Sequence, residues 1–140
     1  MRVVGVVIFL FAAIAAMADA PRWSEQFKVF ADVRNETEDS VIAEADAALA
    51  PVGFHRDSAG SRDPRGLLPG IFASYSANES ATATIVQASS PECLAFSATN
   101  YDRGNVGLVD RAGAAVKAGF RAAFGANVKF YSDAKCTIVL

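Results

Sequence analysis

The sequence predicts an α+β domain: an antiparallel or mixed sheet with two helices on one face. Three observations point there. Two well-separated segments carry apolar residues at helical spacing, strand-like runs fill the interval between them, and clusters of turn-forming residues separate those runs. A ferredoxin-like arrangement, or an elaboration of it, fits this order best.

The chain opens on a leader. Met1-Arg2 places one positive charge ahead of an uncharged apolar run, Val3 to Ala18, which includes Phe9-Leu10-Phe11 and ends in small residues. A basic start, an apolar middle and a small-residue exit are the parts of a secretory signal. Two A-x-A patterns follow, Ala16-Met17-Ala18 and Ala18-Asp19-Ala20. Cleavage after Ala18 is preferred, because cleavage after Ala20 would set Pro21 beside the scissile bond. The run falls short of the roughly 20 apolar residues that span a bilayer, and no basic cluster follows it. The expected product is therefore a single domain, residues 19–140, secreted or periplasmic, with no transmembrane anchor.

Strand periodicity marks residues 26–33, where Phe27, Val29, Ala31 and Val33 fall on one side. Trp23, Phe27 and Phe30 also lie at helical spacing, but the strand reading is preferred. The first helix follows. Asn35 with Glu38 suggests a capping box, acidic residues crowd the first turn, and Val41, Ile42, Ala45, Ala48 and Leu49 form an apolar stripe. Pro51 ends it, and Val52 to Arg56 is expected to return as a short strand.

Ser58 to Gly70 is rich in Gly, Pro and charge, without periodicity, and reads as a long loop. Loops of this length in compact domains are often functional or disordered. Arg62 and Arg65 make it a candidate contact segment. Three strands are then expected, Ile71 to Ser76, Ala81 to Ala88 and Cys93 to Thr99, with turn residues at 77–80 and 89–92. Their Ala, Ser and Thr content suggests a sheet with a half-exposed face.

The second helix has the strongest pattern. Val109, Ala112, Val116, Phe120, Ala123 and Phe124 recur at three- and four-residue steps, and Gly125 is placed to stop it. Gly113 and Gly119 each weaken it by about 1 kcal/mol relative to alanine, or else permit close packing on the sheet. Asn127 to Ser132 and Cys136 to Leu140 complete the chain as strands around an Asp133-Ala134-Lys135 turn.

Charge and cysteine usage narrow the function. The chain carries 13 Lys and Arg against 15 Asp and Glu, a net charge of −2, which argues against nucleic acid as a partner. Acids dominate residues 35–50 and bases dominate residues 103–140, an asymmetry that the two helices could neutralise by packing together. Cys93 and Cys136 are the only cysteines. In an exported chain the pair reads as a disulfide. Closing a loop of about 44 residues stabilises the fold by about 4 kcal/mol in the chain-entropy treatment.

Candidate chemistry is sparse. His55 is the single histidine, with Asp57 on the same side of a strand, but no G-x-S-x-G elbow accompanies it. The carboxylate pairs Glu36 with Glu38 and Asp102 with Asp110 carry no spacing that implies a shared cleft. Residues 100–105 only faintly resemble a calcium loop, and Arg103 stands where a ligand would be unwelcome. Gly104 to Gly107 before a helix, beside Arg103, could offer N–H groups to an anion. Asn35 and Asn78 head glycosylation sequons, which matter only in a eukaryotic source. No metal or cofactor is expected.

These observations favour an exported, non-enzymatic binding or accessory domain, for example an inhibitor of a protein partner. Its partner would be a protein or small ligand outside the cytoplasm, contacted through Arg62, Arg65 and Arg103. Two alternatives remain: a small hydrolase using carboxylates with His55 assisting, and a surface-associated protein that meets the envelope through Arg111, Lys117 and Arg121.

Overall fold

The computed structural model describes residues 22–59, 72–89, 93–125 and 128–140. The expected leader lies outside these residues, as do Arg62, Arg65 and positions 60–70 of the expected loop.

The elements are β1 (Glu25–Asp32), α1 (Glu38–Leu49), β2 (His55–Ala59), β3 (Phe72–Asn78), β4 (Ala81–Gln87), β5 (Cys93–Asn100), α2 (Leu108–Phe124) and β6 (Phe130–Tyr131), with short 3-10 turns at Ala50–Val52 and Arg103–Asn105. Among the described residues the strands form one six-stranded sheet in the order β2-β3-β4-β5-β1-β6, with every pairing antiparallel. The fold is α+β. Among the described residues it differs from the plain ferredoxin-like unit in carrying four strands rather than two between its helices.

One face of the sheet builds the main core. Val29 and Ala31 of β1, Leu94 and Phe96 of β5, and Ile85 of β4 meet Val41, Ile42 and Leu49 of α1 and Val109, Val116 and Phe120 of α2. Alanines at 73, 81, 83 and 98 are all buried on this face. Their small side chains leave room for the helices, and the Ser and Thr residues alternating with them point to the other face. There a smaller cluster gathers Phe30, Cys93, Ala95 and Tyr131 beneath Ala134 and Cys136. The Cys93–Cys136 disulfide pins this C-terminal segment to the start of β5, with Cα atoms 5.7 Å apart.

Several local expectations are corrected. The cap of α1 is Thr37, whose Oγ1 accepts from the Ser40 amide at 3.2 Å. Asn35 is held back by a turn that the Glu36 amide closes on the Val33 carbonyl. The strand expected at 52–56 begins only at His55 and runs to Ala59, two residues into the expected loop. The helical hand continues through Pro51, and Gly53 at φ 97° then reverses the chain. The strands expected at 127–132 and 136–140 shrink to β6 and a single Tyr131–Val139 bridge. Asp133 explains the shortening, since its carboxylate accepts from Thr137 and Ile138 amides and the Thr137 hydroxyl, winding the segment into a turn. That turn takes Cys136 to φ 54°.

The helices do not neutralise one another through the ion pairs found among the described residues. Asp46 of α1 instead accepts from the Tyr75 hydroxyl at 2.9 Å and lies 3.6 Å from Arg56, both on the sheet. Burial and the neighbouring carboxylate push the Tyr75 phenol well above its ordinary value.

Candidate binding site

The site is assembled at one end of the β4-β5-β1 strand trio. Antiparallel register sets Asn100, the last residue of β5, opposite both Glu25 at the start of β1 and Ala81 at the start of β4. Three chain segments therefore converge: the lead-in Arg22-Trp23, the β3–β4 tip Glu79-Ser80, and the loop Tyr101-Asp102-Arg103. Together they line an open depression of about 780 Å³. The Tyr101 amide donates to the Ser80 carbonyl at 2.8 Å, and the Ser80 amide donates to Asn78 Oδ1 at 2.7 Å.

Beneath the depression, Asn100 is completely buried. Its Nδ2 donates to Glu25 Oε1 at 2.8 Å and to the carbonyls of Asn105 and Asp102 at 2.9 and 3.3 Å. Its Oδ1 accepts from the Asp102 amide at 2.9 Å. Three of these bonds go to the loop at 102–105 and one to Glu25, so the buried amide ties the loop to the start of β1.

Glu25 completes this floor. Its Oε2 accepts from the Gly107 amide at 2.9 Å. The Asn100 amide and the backbone N–H groups at the start of α2 hold the carboxyl below its ordinary value, against a desolvation cost. The anion-binding potential expected of Gly104–Gly107 is thus used by the chain's own carboxylate. Gly107, at φ 84°, lets the backbone turn into α2.

Of the contact residues expected from sequence, Arg103 lies on the depression, while Arg62 and Arg65 lie outside the described residues. Cys93 and Cys136 are bonded to each other. Arg22, Trp23, Glu79, Ser80 and Tyr101 were not legible as site residues. Tyr101 follows a strand end and Trp23 reads only as an apolar residue before one, so neither announces the other.

The remaining candidates are dispersed. A bulge falls between Arg56 and Ser58, and Asp57 accepts from the Ser76 hydroxyl at 2.8 Å. His55 is exposed on edge strand β2, opposite Ser76. Asp102 Oδ1 accepts from the Gly104 amide at 2.8 Å and caps the 3-10 turn, whereas Asp110 lies in the first turn of α2. Arg111 reaches Asn105 Oδ1 at 2.7 Å. Lys117 and Arg121 lie over the rings of Phe27 and Phe130, at 5.9 and 4.8 Å from the centroids. Among the described residues no group of three or more His, Cys, Asp or Glu is placed to hold a metal ion, and no helix is long and apolar enough to cross a membrane.

No protein-family model matches the chain, and no curated protein matches it.

Proposed function

We propose that this protein is an exported, single-domain binding or accessory factor whose partner is a protein, engaged through the depression at Trp23 and Tyr101. The observation that carries the reading is the convergence of Arg22, Trp23, Tyr101 and Arg103 from two distant stretches of chain on one concave surface. Trp, Tyr and Arg are the residues that dominate binding energy in protein interfaces, because each couples a large apolar body to a polar end. Tyr101 is 57% exposed, and Val106, close by in the same loop, is 65% exposed.

Two further features support the reading. The leader pattern and the disulfide suit a chain that works outside the cytoplasm. The loop bearing Tyr101 and Arg103 is fixed by the buried Asn100, and a pre-shaped surface loses less entropy on binding. Because Asp102 is engaged as a backbone cap, binding is preferred to hydrolysis by paired carboxylates.

The test is affinity capture from the native extracytoplasmic fraction, with tagged residues 19–140 as bait. A stoichiometric partner is expected. A Trp23→Ala, Tyr101→Ala double variant that keeps its melting temperature should weaken that complex at least about tenfold. Undiminished binding by a folded double variant would remove the depression as the contact surface.

A further inference from the structure

We infer that the Cys93–Cys136 disulfide is a redox-gated latch. A dithiol opens it through Cys136, and the C-terminal turn then uncovers an apolar row on the sheet while the helix-side core stays folded. The latch lies at the opposite end of β5 from the depression, and it does not depend on the binding reading above.

The two faces of the sheet carry separate cores. The helix-side core contains neither cysteine. On the other face Phe30, Cys93, Ala95 and Tyr131 are buried, with Ala134 and Cys136 packed against them. Those two small residues are what the segment after β6 contributes to either core. Its larger apolar side chains, Ile138, Val139 and Leu140, are 59%, 56% and 70% exposed, so burial of theirs does not hold it down. Among the described residues its hydrogen bonds run within the segment or back to β6. The Ser132 amide donates to the Ile138 carbonyl, the Leu140 amide to the Phe130 carbonyl, and the Thr137 and Ile138 amides to Asp133. Toward β5 it has the disulfide and a 4.0 Å approach of Cys93 Sγ to the Asp133 carbonyl. Cutting the bond therefore frees the turn and leaves both helices seated.

The two sulfurs are not equivalent. Cys93 is 1% exposed within β5, whereas Cys136 is half-buried in the surface turn. An incoming thiolate must reach the sulfur that it attacks, and the more accessible one belongs to Cys136. Attack forms a mixed disulfide on Cys136, and Cys93 leaves as a thiolate that takes up a proton. The second sulfur of the dithiol then displaces Cys136, so the dithiol ends as a disulfide and both cysteines as thiols. Cys136 stands at φ 54°, a left-handed conformation that a non-glycine residue leaves once nothing holds it. Antiparallel register sets Phe30 beside Ala95 and Ala95 beside Val86. Lifting the turn thus uncovers an apolar row that crosses β1, β5 and β4.

The test compares residues 19–140 before and after treatment with dithiothreitol, without denaturant, by amide hydrogen exchange and mass spectrometry. Reduction is expected to speed exchange at 132–140 at least about tenfold and to leave α2 and β4 unchanged. A Cys93→Ser, Cys136→Ser double variant should exchange like the reduced protein with no reductant present. Glutathione followed by iodoacetamide should leave the mixed disulfide on Cys136 and the carbamidomethyl group on Cys93. A bond that resists dithiothreitol until denaturant is added would overturn the inference, as would unchanged exchange at 132–140. Loss of protection throughout α2 and the sheet would also overturn it, since the bond would then be a staple of the whole fold. Glutathione found on Cys93 would overturn Cys136 as the point of entry.

Discussion

Gly113 of α2 lies against the ring of Phe27 on β1 so closely that a Cβ at position 113 would sit 2.3 Å from Phe27 Cε1. The helix thus meets the sheet at a point where no side chain fits. Gly119, six residues on and on another face of the helix, serves the other contact, since its Cβ would stand 3.1 Å from the Cβ of Ala48 on α1. One glycine therefore seats α2 on the sheet and the other seats it against its neighbouring helix.

This pair gives the first prediction. Gly113→Ala should destabilise the fold by about 1–3 kcal/mol despite a helix-propensity gain of about 1 kcal/mol. Gly119→Ala should change stability by less than about 1 kcal/mol, because a small shift accommodates one methyl group. Urea denaturation of the two variants checks the contrast. Equal effects would mean that α2 is free to move away from Phe27.

Asn100 and Glu25 predict a coupled loss. Asn100→Ala would leave two loop carbonyls and one oxygen of the half-exposed Glu25 carboxylate short of a donor, at a cost of about 1–2 kcal/mol. Amide chemical shifts at 101–107 should move with it. The Glu25 carboxyl is held below its ordinary value, so its stabilising contribution is complete at neutral pH and is lost as pH falls below the usual glutamate range. Glu25→Gln should flatten that part of the acid profile, and an unaltered profile would remove Glu25 from the account.

The C-terminal turn predicts a separate acid transition. Asp133 is held at about 2 by the Thr137 hydroxyl, aided by the Ile138 and Thr137 amides. With the folded value below the unfolded one, the turn is stabilised at neutral pH and loosens as pH falls through about 2. A carboxyl titration by NMR should find Asp133 there, and Asp133→Asn should abolish the step. An ordinary aspartate titration would mean the turn does not hold in solution.

Tyr75 offers a spectroscopic check. Its hydroxyl donates to Asp46 from a position only 1% exposed, and its phenol is pushed upward by burial first and by Asp46 second. Of the three tyrosines, Tyr75 should stay protonated on alkaline titration until the protein unfolds. Tyr75→Phe should cost about 1–2 kcal/mol and remove that late step in ultraviolet absorbance.

Reduction of Cys93–Cys136 should lower stability by about 4 kcal/mol in the chain-entropy treatment. The loop it closes spans a separation of 43 residues. The same cut should release the cover over Phe30 and Tyr131, visible as a change in near-ultraviolet circular dichroism. A reduced protein of unchanged stability would mean the C-terminal segment docks without its bond.

What the sequence determined by itself was local or periodic. The apolar stripe of α2, the stop at Gly125, the strand alternation of residues 26–33 and the α+β class all follow from side-chain spacing against a helical or a pleated period. The cysteine pairing followed from there being one way to pair two cysteines. The tertiary structure decided whatever depends on residues far apart in sequence. Asn100 and Glu25, 75 positions apart, meet only because β1 pairs with β5, and Trp23 and Tyr101 line one depression for the same reason. Competition between neighbouring groups also lay beyond the pattern: Thr37 caps the helix because Asn35 lies inside the turn between Val33 and Glu36, and the helical hand carried past Leu49 before Gly53 reversed it. Register and strand order fix the candidate site, and these are settled by the simultaneous burial of every strand's apolar face, a condition on the whole chain that no single segment states.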